Sequence, residues 1–186
     1  TFSSIPVGHY VVVELQPVGY ISIKDIDTSN DGDVVPNTNM LNDTIPVTVT
    51  NGETDAQNYF IDAEICGLTV TNTNDSGFGS LRHAFDCASD GDTIRFDPSL
   101  AGQTITINSG VITVQTDVVV WCEILPRVMI ASQVNGLFDV LNNTQVQFRE
   151  CDIMSGLSPG NTGAAFDNLG ILLLHNTNVY RNPNFA

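Results

Sequence analysis

The segment from Leu68 to Phe85, continued from Gly91 to Ile107, constrains the fold more than any other feature of the chain. Leu68 and Val70 open a strand. A polar turn runs to Gly79, a short helix follows, and then strand follows strand. Leu81, Ala84, Phe85 and Ala88 fall at i, i+3, i+4 and i+7 and form one apolar stripe. Ser80 is placed to cap the start of the helix, and Gly91 lies just past its end. A helix of about two turns is not stable alone, so its stripe must pack on something. The natural partner is the first rung of a stack of strands. This order is that of a chain entering a β-solenoid, with the helix as the plug of its open end.

The strands beyond it recur. Ile94 to Asp97, Leu137 to Val140 and Ala165 to Asn168 each contain a Phe-Asp pair. A second type comprises Val118 to Cys122, Val146 to Glu150 and Ile171 to Leu174. A third comprises Val128 to Ile130, Cys151 to Met154 and Asn178 to Tyr180. Three short strands per turn at a loose period of about 25–30 residues is the pattern of a parallel β-helix. The crossover rule for parallel strands makes it right-handed. Asn, Gly and Asp at the corners supply the special backbone angles.

The composition changes near residue 64. Residues 1–63 read as part of an antiparallel β-sandwich. Tyr10 to Leu15 is a strand that ends in the turn from Gln16 to Tyr20. Ile45, Val47 and Val49 alternate with polar neighbours, Asn51-Gly52 signals a turn, and Asn58 to Asp62 is a last strand. Residues 25–44 read as an Asp- and Asn-rich loop. So few strands do not make a free-standing sandwich, so the missing ones are expected upstream or from another chain. Thr1 follows no initiator Met, as in a processed or excised segment, and no signal peptide is visible. The C-terminal end has no polar cap, which would leave sheet edges bare. The domains expected are therefore 1–63, an immunoglobulin-like fragment, and 64–186, a capped parallel β-helix.

Charge narrows the partners. The formal net charge is −15, from 21 Asp+Glu against 6 Lys+Arg. Such a surface repels nucleic acid and anionic membranes, and no apolar stretch is long enough to span a bilayer. Solubility alone and cation binding both account for the charge. Disorder does not, because hydrophobic residues make up 42% of the chain and come in β-like runs. The four cysteines fit no zinc spacing. Export would pair them, with Cys66–Cys87 tying the linker to the plug helix and Cys122–Cys151 tying neighbouring rungs. Buried free thiols are the competing state.

Two resemblances follow from these residues. Ile5-Pro-Val-Gly-His-Tyr10, Val13-Glu-Leu-Gln-Pro-Val-Gly-Tyr20, Asn42-Asp-Thr-Ile-Pro-Val-Thr-Val49 and the run from Gly52 to Asp62 resemble the C-terminal part of an SdrD B-like (Cna-B-like) domain. Such domains are stalk modules of bacterial surface proteins. Residues 68–186, and Thr71 to Ile107 most specifically, resemble the opening of the parallel β-helix in large secreted bacterial adhesin-like proteins. The resemblances imply a secreted, extracellular, cell-surface protein without enzymatic activity: a stiff stalk or filament subunit. Its partners would be other copies of itself, neighbouring domains of a longer chain, and cell-surface glycans.

The candidate sites are few. Asp25, Asp27, Asp31 and Asp33 surround a Gly turn as calcium-binding loops do. Counted from Asp27, however, the twelfth place is Thr38 rather than the bidentate Glu. SdrD B-like domains are associated with calcium, so the resemblance implies calcium here, and a solvated acidic loop is the rival. Cna-B-like domains also form Lys–Asn isopeptides. Glu14 and Asn58 lie on suitable strands, but Lys24 follows the turn and is out of place. Asp139 and Asp167 are candidates to stack on successive rungs. With Arg127, Arg149 or Arg181 they would suit a polysaccharide lyase or hydrolase, the alternative function together with a carbohydrate-binding module. His9, His83 and His175 are far apart in sequence and read as ordinary surface or core residues. Trp121, Phe138, Phe148 and Phe166 read as core fillers. No nucleophile elbow or phosphate loop is present.

Overall fold

The computed structural model describes residues 5–27, 44–51, 58–134, 136–155 and 165–181. The chain divides into two compact units, Thr1–Ile65 and Cys66–Ala186. It is mostly β, and the second unit is a parallel β-solenoid of about four turns.

The described part of the first unit holds four strands: β1 (Gly8–Val13), β2 (Tyr20–Asp27), β3 (Thr44–Val49) and β4 (Asn58–Glu64). They form two antiparallel pairs. β1 runs against β3 from Gly8↔Val49 to Val13↔Thr44, and β2 runs against β4 from Tyr20↔Glu64 to Asp27↔Asn58. Ile45 and Val47 point to one side of β3 and are buried, as their alternation requires. β2 departs from expectation, since Tyr20 reads as the end of a turn, residues 25–27 as the start of a loop, and no strand is expected between them. The register slips between Ser22 and Lys24. That bulge breaks the two-residue period, so Ile21 and Ile23 are followed by Ile26 and the strand hides from pattern reading.

The second unit begins with β5 (Thr69–Val70) and the helix α1 (Leu81–Cys87). The first turn then runs through β6 (Asp92–Phe96), β7 (Thr104–Ile107) and β8 (Ile112–Val114). The second has β9 (Val118–Trp121), β10 (Met129–Ser132) and β11 (Phe138–Val140). The third has β12 (Gln145–Arg149), β13 (Asp152–Met154) and β14 (Phe166–Asn168). The fourth has β15 (Ile171–His175) and β16 (Asn178–Tyr180). Like strands stack into three parallel sheets, ordered β5-β6-β9-β12-β15, β7-β10-β13-β16 and β8-β11-β14.

Register makes the stack explicit. Ile105, Ile130 and Ile153 pair in one column that continues to Val179. The three isoleucines are fully buried. Burial of each stabilises the stack by about 1.5–3 kcal/mol. A second column holds Ile94, Val120, Phe148 and Leu174, and a third holds Ile112, Phe138 and Phe166. Successive rungs sit about 4.8 Å apart, so column residues touch continuously. The inward residues of the fourth turn are far less covered. Leu174 and Val179 are 45% and 46% exposed.

The Phe-Asp repeat needs one correction. Phe138 and Phe166 are rung partners, but Phe96 belongs to a different sheet and the partner of Phe138 below is Ile112. The physical difference lies in the aspartates. Asp139 and Asp167 sit within strands, whereas Asp97 follows the end of β6 and caps a 3-10 turn by accepting the Ser99 N–H.

The helix closes the stack. The Ser80 hydroxyl accepts the His83 N–H, and Leu81, His83, Ala84 and Phe85 are buried. α1 packs on β5 and β8, and the Phe85 ring meets that of Phe138 at 5.7 Å between centroids. Gly79, at φ +76°, lets the chain turn into the helix. A Cβ there would run into the Thr71 hydroxyl and the Asn72 amide. Arg82 locks the plug sideways by donating to the Gly110 and Val111 carbonyls at 2.7 and 2.9 Å and pairing with Asp75 at 3.1 Å. Disulfides join Cys66 to Cys87, at the end of α1, and Cys122 to Cys151, across the second and third rungs. These are the pairs that export was expected to form.

Candidate functional site

The outer face of the sheet β5-β6-β9-β12-β15 presents a chemically unusual column. In β9, Val118 and Val120 point into the core, so Val119 and Trp121 point out. Trp121 is therefore a surface residue and not the core filler expected; Phe138 and Phe148 are core, and Phe166 packs against it. Rung pairing places Arg95 below Trp121, Arg149 above it and His175 above that. The Arg95 guanidinium lies 4.5 Å from the Trp121 ring centroid and that of Arg149 lies 5.9 Å away. Both are within cation–π range. Trp121 Nε1 is buried and, among the described residues, has no hydrogen-bond partner.

The two arginines differ in what they hold. Arg95 is neutralised by Glu123 at 2.7 Å. Arg149 donates to the Gln147 side-chain oxygen at 2.8 Å and, among the described residues, has no carboxylate partner. Around it, Trp121, Gln147, Arg149 itself, Glu150 and His175 line an open groove of about 240 Å³. Glu150 sits at φ +57°, at the corner where its N–H donates to the His175 carbonyl. The strained corner thus turns the chain so that Arg149, Glu150 and the exposed His175 share one groove.

The residues singled out from the sequence lie elsewhere. Asp139 and Asp167 are stacked in register, with Thr113 below them. They stand on the β8-β11-β14 sheet, whereas Arg149 stands on another. Arg127 is paired with Asp152 at 3.6 Å. The structure therefore does not bring these carboxylates and Arg149 onto one face. His83 is buried in the plug, with its ring beside Phe78 and 3.7 Å from the sulfur of Cys87. His9 is exposed and hydrogen-bonds the Thr48 hydroxyl. The calcium candidates are not described: the side chains of Asp25 and Asp27, and all of Asp31 and Asp33, lie outside the described residues, as does the side chain of Asn58. Among the described residues, no group of three or more His, Cys, Asp or Glu is placed to hold a metal ion.

One carboxylate is tuned by its surroundings. Burial pushes the Asp75 carboxyl up, but hydrogen bonds from Ser109, the Asn108 N–H and Arg82 outweigh it and hold it below the usual carboxylate range. Its role is architectural, since it joins the turn before α1 to the corner after β7. The groove was missed from sequence because Trp121 follows three valines and looks like the end of a core strand. Alternation counted from Val118, with Arg149 at the matching place in β12, was the available signal. No family model, no curated protein and no solved structure matches the chain.

Proposed function

We propose that the chain is a structural segment of an extracellular bacterial adhesin or surface fibre, acting as a stiff stalk or filament subunit in attachment. The observation that supports this best is the stacked solenoid, plugged by α1 at one end and with the inward residues of its last turn exposed at the other. A rod of backbone ladders and continuous apolar columns transmits force along its axis. The Cys122–Cys151 bridge resists unravelling between rungs. Two disulfides also suit a secreted, cell-surface location.

In this reading the β-helix is right-handed and the first unit is the C-terminal part of an SdrD B-like (Cna-B-like) sandwich. Calcium held by Asp25, Asp27, Asp31 and Asp33 would rigidify that unit. The fourth turn, where Leu174 and Val179 are about half exposed among the described residues, is the seat for a further rung, supplied by a neighbouring domain of a longer chain or by another copy, the latter giving a filament. The stacked Asp139 and Asp167 act as solvated rung residues, so no catalysis is assigned.

Negative-stain electron microscopy of the native material tests the reading. Rods or regular filaments are expected. Single compact particles with no tendency to associate at high concentration would refute the filament role.

A further inference from the structure

We propose that the groove lined by Trp121, Gln147, Arg149, Glu150 and His175 is a binding site for an acidic sugar, a uronate unit of a polysaccharide. This goes beyond the proposed function by naming a ligand class for the attachment surface, and it does not depend on filament assembly.

In a chain of formal charge −15 with 6 Lys+Arg, carboxylate partners are abundant. Arg95 and Arg127 have taken one each. Arg149, in the third turn, is half-buried and forms no ion pair among the described residues. Its position is fixed instead by the Gln147 side chain and by the Trp121 ring. A guanidinium so held is preorganised, with donors left over for a planar carboxylate. His175 follows it in register on the next rung and adds a second donor to the same groove.

Anion binding alone would not need the other walls. Glu150 brings an acceptor-only carboxylate, and Gln147 brings an amide with both donor and acceptor. These suit the hydroxyls of a sugar ring, and they would repel or ignore a bare inorganic anion. Trp121 supplies apolar surface to the groove lining. One carboxylate and several hydroxyls on one ring is the chemistry of a uronate. The groove is open to solvent, as a site for one unit within a longer chain should be. The long-range repulsion of an acidic polymer by the protein's net charge is screened beyond about 10 Å at 0.1 M salt, while the groove contacts act within hydrogen-bond distance.

Trp121 is the single tryptophan of the chain, so its fluorescence reports on this groove directly. The test is titration of the intact protein with a defined tetragalacturonate at 0.15 M salt. A neutral cello-oligosaccharide of the same length and sodium sulfate are the comparison titrants. A saturable fluorescence change with the uronate is expected, with neither comparison producing it in the same range. Arg149→Ala should weaken binding at least tenfold, and Arg149→Lys, which keeps the charge but not the fork, several-fold. Circular dichroism of each variant establishes that the solenoid is intact. Gln147→Ala provides a second variant outside the cation–π stack and should weaken binding a few-fold. No response to the uronate, equal response to the neutral sugar, equal response to sulfate, or full binding by a folded Arg149→Ala would each overturn the proposal. None of these results bears on whether the protein forms rods, which the microscopy reads separately.

Discussion

Replacing Phe138 by Ala should be the most damaging single change in the second unit. Its side chain is fully buried. Its ring meets Phe85 of the plug helix at 5.7 Å, Phe148 at 4.8 Å and Phe166 at 5.5 Å between centroids. It therefore joins the cap, its own rung and the rung above. Truncation of a buried Phe to Ala costs about 3–5 kcal/mol, the transfer and cavity contributions together. The aromatic pairs put the cost toward the upper end. For a unit of about 120 residues, the entropy of unfolding at the midpoint is roughly 0.25 kcal/mol/K, so a loss of about 4 kcal/mol lowers the Tm by roughly 16 °C. Thermal unfolding followed by tryptophan fluorescence reads this unit alone, since Trp121 belongs to it. Asp139→Ala, next in the strand but facing outward, is the control and should shift stability by less than about 0.5 kcal/mol. If the two variants melt within a few degrees of each other, the column packing described here is wrong.

Three further outcomes follow from the same structure. Removing the Cys122–Cys151 bridge, which spans 29 residues, with the double change to Ala should cost about 3–4 kcal/mol of stability by loop-closure entropy, measured by denaturant unfolding of the folded double variant. Ser80→Ala deletes the cap that accepts the His83 N–H and should cost about 1 kcal/mol in the same assay. The carboxyl of Asp75 is held below its unfolded value, so its contribution is fully present above about pH 4 and is lost as pH falls through the lowered native value. Melting temperature measured from pH 6 down to pH 2 should fall more steeply in the parent protein than in Asp75→Asn; parallel profiles would exclude this linkage.

The solenoid was legible because its physics is repetitive. Short β-branched runs recur at the rung period, and two of the three strand types, those beginning at Val118 and Val128, correspond to real sheets. The helix was legible from Ser80 and the stripe from Leu81 to Ala88, because capping and a 3.6-residue period are local properties. Phe96 was misassigned because dipeptide identity says nothing about where a strand stops; the cap made by Asp97 decides that. β2 was lost to a bulge, which shifts the alternation by one residue. The groove stayed hidden for a different reason. Arg95, Trp121, Arg149 and His175 are spread over 81 sequence positions and meet only because the rungs stack in a particular register. A one-residue slip would turn Trp121 into the core and Val120 to the surface.

The groove and the columns both depend on that register, which an electron paramagnetic resonance distance measures. Val119 and Leu173 both face outward and both pair with Gln147, one from the rung below and one from the rung above. Spin labels placed at 119 and 173 should lie two rungs apart, at about 10 Å, and give strong dipolar broadening that each single label lacks. Spectra of the double-labelled protein that equal the sum of the single labels would contradict the parallel stack.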